Sequence, residues 1–563
     1  MALLAWAWLL ALALLGEGEA TLAVGKKASD PPVDNPGRGG EARALHCCRA
    51  PAPHSLALAC DAAPGDKIVA VPYAVYGAAS EGSAACGQER DPQCGASVRD
   101  AIATECVGKR VCALKAEDFK NACPDSEGEL RVRWVCRSDN GPPLDRLPAP
   151  SLPPFPLRAN GSIIVDAKGQ RVKMVGVTWG GFHIKGVPGG LDEAPIEQIA
   201  RVTRELGFNV VRFTFSAQDV IENPIVEEAR VLANPRLKNK RALEILDEVI
   251  STLAEAGLMV WLDFHMFDSD WCCSSQDCSG LWFNERYSFE TYVSMWRSLA
   301  RRYADTPALV GVGLKNEPRP VCTGKHSDLI SCNVSDLYEL AGGRSLIFGE
   351  NEEEEECVWP AWGSGPEVLQ YRPAMERVGG EILAENNNLL IGVSGLVYSQ
   401  YLTEVAFDPV KLPKQNLVYE AHEYSWYRNY AAKGVFDVDH DPEGAWQRLS
   451  ELLDNNWGYI LRNGIAPVFV SEWGMSHSWE EHDNESRWFR LFRRYMHEGP
   501  LAEQGGLDWA YWQLTSVQIG GTKRSEGAEE NFGILNRCWT APATDSHFAA
   551  LRSMGAGGSP LLV

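Results

Sequence analysis

The sequence has few positive charges for its length. Its 563 residues include 53 Lys and Arg against 75 Asp and Glu, which gives a formal net charge of -22. Nucleic acids and anionic membranes attract proteins through positive charge, so both are excluded as main partners and neutral partners are favoured. The composition is typical of a globular protein, with 45% apolar residues, and the outlying count is 19 Trp. Exposed Trp faces often bind sugars.

Basic residues are also missing from the start of the chain, and the apolar run there is short. Residues 3–15, LLAWAWLLALALL, contain 13 apolar residues, which is short for a membrane span. Small residues, Gly18 and Ala20, then precede a candidate cleavage point. Residues 1–20 are therefore predicted to be a secretory signal peptide, with an uncleaved anchor as the alternative. The mature protein is expected to be extracellular or in the cell wall, with no membrane contact.

Export is also indicated by two other features. Asn-x-Ser sequons occur at Asn160, Asn333 and Asn484, and the chain contains 16 cysteines. Glycans and disulfides both form on the secretory route. We expect a disulfide-bonded glycoprotein.

Cysteine is absent from residues 138–159, and this Pro-rich stretch divides the chain. Nine cysteines lie between Cys47 and Cys136, and the other seven are spread over the remainder. We therefore predict a disulfide-rich, mainly-β domain at 43–137, a linker at 138–159 and a large catalytic domain at 160–545. Eight of the nine cysteines can form four bridges, and competition between Cys47 and Cys48 leaves one odd thiol.

The first domain contains the stretches LALACDAAPGDKIVAVPYAVYG, VRDAIATECVGKRVCALKAEDF and LRVRWVC. Through these stretches it resembles a galactose/rhamnose-binding lectin domain over about a hundred residues. In that family an Arg usually follows Tyr-Gly and binds sugar, whereas Ala78 follows Tyr76 and Gly77 here. The family's Asp-Pro-Cys loop is replaced by NACPDSEGE. Two interpretations stay open, a sugar-binding module and a disulfide-stapled spacer.

From about residue 160 the sequence alternates apolar strands with amphipathic helices, a pattern typical of a parallel sheet covered by helices. Helices are predicted at IEQIARVTRELG and ALEILDEVISTLAEAG. The predicted strands are RVKMVGVTW, NVVRFTF, LMVWLDFH, LVGVGLKNE, NNLLIGVSG, NLVYEAHEY, PVFVSEWG and LDWAYWQL. Eight such strands predict an α/β fold, a (β/α)8 TIM barrel. An insert from Arg319 to about Tyr371 interrupts the pattern, and its acidic run GENEEEEEC is predicted to be a solvated loop.

In such barrels the active site lies at the carboxyl ends of the strands. Polar or aromatic side chains stand there repeatedly: Arg212, His265, Asn316, Glu317, His422, Tyr424, Glu472 and Trp512. A single strand-end carboxylate is more often an ion-pair partner, but convergence of this set on one face favours a catalytic site. Two glutamates without a convincing Ser or Cys nucleophile indicate glycoside hydrolysis, which needs a carboxylic acid and a carboxylate.

The other positions suggest supporting roles. Arg212 is expected to pair with Glu472, and Tyr424 to donate a hydrogen bond to it. Asn316 is expected to bind the sugar 2-hydroxyl, Trp512 to form a sugar platform, and His265 and His422 to bind hydroxyls or orient the carboxylates. Further candidate platforms, for which ordinary packing is the alternative, are Trp271, Trp282, Trp426 and Trp473.

Residues 160 to about 540 resemble glycoside hydrolase family 5, the cellulase family, most closely its plant-type branch. The stretches GFNVVRFTFS, MVWLDFHMFDSDWCC, VGVGLKNEPR, VYEAHEYSWY, PVFVSEWG and DWAYWQL carry the resemblance. It implies that Glu317 is the acid/base and Glu472 the nucleophile of a retaining enzyme, with Arg212, His265, Asn316, His422, Tyr424 and Trp512 as further site residues. No cofactor or metal is required by this mechanism.

The expected substrate is a polysaccharide or oligosaccharide, and an endo-β-1,4-glucanase acting as a monomer is the leading interpretation. β-Mannan, mixed-linkage β-glucan and glycolipid glucosides stay open, as do an inactive carbohydrate-binding protein and an adhesin with a barrel spacer. Cys272, Cys273 and Cys278 lie near His265 in sequence. In a secreted chain they favour disulfides over a zinc site.

Overall fold

The structure is a computed structural model, and it describes most of the chain from residue 43 onward. The described ranges are 43–51, 55–59, 66–78, 95–109, 111–115, 118–119, 128–138, 152–322, 345–347, 354–427, 430, 433–515, 517–536, 539 and 542–555. The predicted signal peptide and the sequon at Asn333 lie outside these residues. The other two sequon asparagines, Asn160 and Asn484, are exposed.

The residues before the linker form antiparallel sheets beside one helix. Their elements are β1 (Arg43–Pro51), β2 (Ser55–Ala59), β3 (Asp66–Ala78), β4 (Gly95–Ser97), α1 (Arg99–Cys106), β5 (Val111–Lys115) and β6 (Gly128–Ser138). A four-stranded sheet has the order β1-β6-β3-β4, and β2 pairs with β5. These elements agree with the predicted mainly-β domain, and Cys106 is bonded to Cys112.

The side chains of Cys47 and Cys48 are outside the described part of the module. The expected odd thiol therefore stays a prediction. No described cysteine side chain is a free thiol.

The larger domain contains the strands of the predicted barrel and several short additions. The strands are β7 (Arg158–Asn160), β8 (Ile163–Val165), β9 (Val175–Trp179), β10 (Val210–Ser216), β11 (Met259–Met266), β12 (Leu309–Gly313), β13 (Val321–Cys322), β14 (Ser345–Ile347), β15 (Glu354–Val358), β16 (Leu390–Ser394), β17 (Leu417–Glu423), β18 (Val468–Trp473) and β19 (Asp508–Tyr511). Parallel pairing closes a barrel in the order β9-β10-β11-β12-β16-β17-β18-β19. The eight predicted strands and the TIM-barrel architecture are confirmed.

Helices follow most of the barrel strands. They are α2 (Phe182–Lys185), α3 (Ile196–Glu205), α4 (Ala217–Ile221), α5 (Ala242–Glu255), α6 (Phe289–Arg302), α7 (Tyr371–Glu385), α8 (Leu396–Ser399), α9 (Pro442–Leu453), α10 (Tyr459–Arg462), α11 (Asp483–Glu498) and α12 (Asp545–Gly555). The two predicted helices correspond to α3 and α5, and α5 ends just before Gly257, which has a φ of 76°. None of the helices in the described ranges is long and apolar enough to cross a membrane.

Each barrel strand is buried along its whole length, which explains its continuous apolar run. Near the amino ends, residues such as Met259 and Phe469 pack around Trp261, and Leu157 and Ile164 from the β7-β8 hairpin join them. Strand glycines make room for the large groups inside. A Cβ at Gly311 would lie 2.2 Å from the Trp261 ring. The amino-end layers are therefore packed core, which leaves the carboxyl ends for chemistry.

The insert after strand β12 is partly ordered into a small sheet. Strands β13, β15 and β14 pair in that order, and Cys322 is bonded to Cys357. Glu354, Glu355 and Glu356 of the acidic run lie in β15. The predicted loop is wrong for these residues, because antiparallel pairing with β14 satisfies their backbone groups.

Candidate active site

The eight side chains predicted from strand ends lie together at the carboxyl ends of the barrel strands. Contacts between side chains connect them into one group through Glu317, Glu472 and the residues around them. The structure therefore brings these eight predicted residues together.

Glu317 lies four residues after strand β12 and is nearly completely buried. Its φ of 45° falls in the left-handed region, which is unusual for a residue with a side chain. His422 Nδ1 and the Tyr427 hydroxyl each lie 3.0 Å from Glu317 Oε1. Burial raises the pKa of Glu317, while the charge of Arg319 and the hydrogen bond from Tyr427 oppose the rise. Such a carboxyl is suited to hold a proton.

Glu472 is near the end of strand β18, and its carboxylate is held at both oxygens. Arg212 Nη1 donates to Oε2 at 2.8 Å, and the Tyr424 hydroxyl donates to Oε1 at 2.9 Å. Burial raises the pKa of Glu472, whereas His422 and Arg212 oppose the rise. The direct ion pair with Arg212 favours the ionised carboxylate. Both contacts are those expected from the sequence.

The two glutamates are close to each other across the barrel mouth. A carboxylate oxygen of each, together with a ring nitrogen of His422, lie within 4.8 Å of one another. Burial lowers the pKa of His422 to about 4, so the ring is neutral at neutral pH. A neutral imidazole can donate from Nδ1 to Glu317 without adding a charge to the pair.

Arg212 also connects the two glutamates to side chains on the neighbouring strands. Its Nη2 donates to Asn316 Oδ1 at 2.7 Å and lies 2.9 Å from Asp263 Oδ1. Asp263 Oδ2 in turn lies 2.8 Å from His265 Nδ1. This network holds one end of Asn316 and one end of the His265 ring, because each is bound there to a charged partner.

Aromatic rings border the same site. The Trp512 and His265 rings are stacked, with centroids 5.4 Å apart and an interplanar angle of 7°. The Trp271 ring lies edge-on to Trp512 at 5.9 Å. Trp426 is 56% exposed and stacks on Tyr424, with centroids 4.4 Å apart. The exposed Trp426 ring and the partly exposed Trp271 ring can contact the apolar face of a sugar, whereas Trp512 is only 7% exposed.

Two of the other candidate platforms are core residues. Trp473 is fully buried against Trp509 and Tyr511, and Trp282 packs on Tyr371. The platform interpretation is wrong for Trp282 and Trp473, because their ring faces are covered by other aromatic residues.

Sequence reasoning missed several residues of the site. Asp263 is two residues before His265 on strand β11, so the two-residue period of a strand places both on one face. Tyr427 follows Tyr424 by three residues in an aromatic stretch, which offered a weaker signal. His183 Nδ1 lies 2.7 Å from Thr214 Oγ1, and its ring is 4.6 Å from that of His265. No local signal marks His183, since barrel closure alone brings it there.

Among the residues that the structure describes, two sets of side chains have the spacing of metal ligands. In the first, His265 with Cys272 and Cys273, the cysteines are bonded to each other and are not thiolates. This finding confirms the predicted preference for a disulfide. In the second, Glu317 with His422 and Glu472, the positive charge of Arg212 already contacts Glu472.

The sequence and the fold match known proteins. Residues 165–518 match the model of the cellulase family, described as glycosyl hydrolase family 5. A glycosyl hydrolase 5 family protein of Chamaecyparis obtusa is 27% identical over 409 residues, 69% of this chain and 63% of that protein. This chain thus matches less than two thirds of that relative. An endoglucanase of Paenibacillus polymyxa is 26% identical over 379 residues, 62% of this chain and 83% of the enzyme.

Solved structures show the same fold. The complex of cellotetraose with an endocellulase from Pyrococcus horikoshii has a TM-score of 0.54 at 23% identity, covering 71% of this chain and 100% of that chain. The catalytic domain of the major endoglucanase from Xanthomonas campestris pv. campestris has a TM-score of 0.53 at 22% identity. The match covers 71% of this chain and 99% of that chain.

Proposed function

The chain belongs to glycosyl hydrolase family 5, and we propose that its barrel hydrolyses β-glycosidic bonds of a polysaccharide with retention of anomeric configuration. The observation that carries this proposal is the placement of two buried glutamates, Glu317 and Glu472, whose oxygens lie within 4.8 Å. Their partners differ in charge, and this difference assigns the acid and the nucleophile.

In the first step Glu317 acts as the general acid. Both of its hydrogen bonds, from His422 and Tyr427, end on Oε1, which assigns the transferable proton to Oε2. Oε2 gives this proton to the glycosidic oxygen as the bond to the anomeric carbon breaks. Glu472, kept ionised by Arg212 and turned by Tyr424, attacks that carbon and forms a glycosyl ester.

In the second step the deprotonated Glu317 takes a proton from water, and the water oxygen attacks the anomeric carbon. The ester bond to Glu472 breaks and regenerates its carboxylate. Two displacements at one carbon retain its configuration. Inverting enzymes instead separate their carboxyls by about 6.5 to 9.5 Å to leave room for water between them. The short separation of Glu317 and Glu472 supports retention.

We propose an endo-acting β-1,4-glucanase as the specific activity. The similarity to an endoglucanase and the shared fold with endocellulases support a cellulose-like chain as substrate. β-Mannan, mixed-linkage β-glucan and glucosides of lipids require the same two glutamates, so the walls of the cleft select among them. A stacked pair of rings, Tyr424 and Trp426, borders the nucleophile Glu472 and is suited to a flat β-linked chain.

We also propose a family branch, a location and a role for the first domain. Similarity to the Chamaecyparis obtusa protein supports placing the barrel in the plant-type branch of the family. The predicted signal peptide and the disulfides support a secreted, monomeric glycoprotein. The module at 43–137 is proposed as an accessory lectin-like domain, with the stapled spacer as its alternative.

The experiment is release of reducing sugar from soluble glucans, mannans and xylans by the secreted protein. Wild type is compared with Glu472→Ala and, as a matched control, with Glu480→Gln at an exposed position. Release by wild type and Glu480→Gln alone would support the proposal and identify the substrate class. Proton NMR of the first product then distinguishes retention from inversion.

Other outcomes would contradict the proposal. Binding of polysaccharide without release by any variant would favour the inactive carbohydrate-binding protein. Loss of polysaccharide binding after deletion of residues 21–150, together with an inert barrel, would favour the adhesin. An accessory module instead predicts that this deletion leaves activity on soluble substrate.

A further inference from the structure

A disulfide between adjacent residues, Cys272 and Cys273, lies against the proposed sugar-binding residues. It follows strand β11 in the loop after His265, and both cysteines are only half-buried. Asn316 Nδ2 donates to Cys273 Sγ at 3.4 Å. Cys272 Sγ lies 3.2 Å from His265 Nε2. The two sulfurs therefore contact two different side chains of the site.

Each of these side chains is held from its opposite end by a buried charge. Asn316 Oδ1 accepts from Arg212, and His265 Nδ1 is bonded to Asp263. The disulfide thus supplies the second fixed contact for both the amide and the ring. Two contacts at opposite ends define the orientation of a planar group, whereas one contact leaves it free to rotate about that bond.

We propose that the Cys272–Cys273 disulfide is a positioning element for substrate recognition by Asn316. The inference rests on the proposed function and deepens it. An Asn amide has two N–H donors. Sulfur accepts one of them, which directs the other toward the hydroxyl next to the anomeric carbon of the bound sugar. Sulfur is a weak acceptor, so it orients the amide without competing strongly with the hydroxyl.

The adjacency of the cysteines matters for this role. Bonding between neighbours closes a small ring in the backbone, so both sulfurs move as one unit. A pair of serines in their place keeps similar volumes but loses that constraint. Misplacement of a substrate-binding group by about 1 Å can reduce an enzymatic rate about 100-fold.

The test compares two substrates in wild type and in the Cys272→Ser/Cys273→Ser variant. One is an aryl β-cellobioside, and the other lacks the 2-hydroxyl on the sugar that carries the aryl group. We expect kcat/KM for the first substrate to fall roughly 10-fold and that for the 2-deoxy substrate to fall less than about 2-fold. Equal falls on both substrates, or no fall on either, would overturn the proposal.

Two controls separate positioning from general destabilisation. Cys322→Ser/Cys357→Ser removes the disulfide of the insert and should leave the ratio of the two kcat/KM values unchanged. In an Asn316→Ala background, loss of the Cys272–Cys273 disulfide should have no further effect on that ratio. A further selective loss there would show that the disulfide does not act through Asn316.

NMR of the Asn316 side chain tests the positioning role without catalytic turnover. It therefore applies even if the Cys272→Ser/Cys273→Ser variant is inactive or folds poorly. The side-chain amide of Asn316 is assigned by NMR from the signals missing in Asn316→Ala. In wild-type protein we expect two distinct, exchange-protected amide protons, and brief treatment with a dithiol should accelerate their exchange. Unchanged exchange after the disulfide is opened would refute the positioning role, whereas an inert wild type on all substrates would refute only the proposed function.

Discussion

Arg212 Nη1 donates a 2.8 Å hydrogen bond to Glu472 Oε2, and both side chains are buried. Burial alone would lower the pKa of Arg212, but the charges of Asp263 and Glu472 raise it. The guanidinium is therefore charged at all working pH values. Glu317 Oε1, by contrast, lies 3.0 Å from Nδ1 of the neutral His422 ring and accepts a hydrogen bond from the Tyr427 hydroxyl. This difference in charge supports the different functions proposed for the two glutamates.

Replacing the acid should affect substrates according to their leaving groups. In Glu317→Ala we expect hydrolysis of natural glucan to fall roughly 100- to 10,000-fold, because no carboxyl protonates the glycosidic oxygen. A dinitrophenyl glycoside needs no such protonation, so its phenol should be released in a burst before slow hydrolysis of the ester. Stopped-flow absorbance measures the burst, and added azide should speed turnover. The absence of both effects would show that Glu317 is not the acid/base.

Removing the Arg212 guanidinium should move the acid limb of the pH profile of kcat/KM. A nucleophile must be ionised, so this limb of kcat/KM reports the pKa of Glu472. Arg212→Gln removes a positive charge that lowers this pKa, and we expect the limb to move up by about 1 to 3 pH units. Arg494→Gln, on the exposed face of α11, should leave the limb in place. An unmoved limb in Arg212→Gln would contradict the assignment of Glu472.

The hydroxyl of Tyr427 should influence the basic limb of the pH profile of kcat/KM. Its hydrogen bond lowers the pKa of Glu317, so Tyr427→Phe should raise that pKa and move the basic limb of kcat/KM to higher pH. Tyr430→Phe is the matched control, because its hydroxyl donates to Glu423 instead. Profiles are measured on one soluble substrate. A shift to lower pH, or the same shift in both variants, would contradict the role of Tyr427.

Glu420 should make stability depend on pH. It is buried inside the barrel, where Trp261 Nε1 and the Ser471 hydroxyl donate to it, and burial together with Asp263 raises its pKa to about 7. Folding therefore favours its protonated form. Its contribution to stability is full below the unfolded pKa of 4.5 and is lost as pH rises through about 7.

Glu420→Gln does not titrate and keeps both hydrogen-bond positions, because the Ser471 hydroxyl can turn and accept. Relative to this variant, wild type should lose up to about 3 kcal/mol of unfolding free energy between pH 4.5 and 7. Urea denaturation at several pH values measures the difference. The unfolding free energy of Glu498→Gln, a variant at an exposed end of α11, should vary with pH in the same way as that of wild type. Parallel curves for wild type and Glu420→Gln would show that Glu420 stays ionised.

Much of the barrel could be predicted because its signals are local. Each strand is a continuous apolar run, and each run places its last polar residue at the carboxyl end, as with Asn316 after β12. Where the prediction from sequence failed, the reason is also a physical one. Glu354 in the acidic run forms a strand because its neighbours in space satisfy its backbone, and charge alone did not reveal that pairing.

The sequence by itself determined the barrel and the identity of the two glutamates, since hydrophobic period and strand-end chemistry are written in neighbouring residues. Only the tertiary structure decided which partner each glutamate receives, because closing the barrel joins Arg212 to Glu472 across 260 positions. The same closure brings Tyr427 to Glu317, and the fold of the loop after β11 brings the Cys272–Cys273 sulfurs to His265 and Asn316. Such contacts depend on distances between strands, for which a linear sequence carries no local signal.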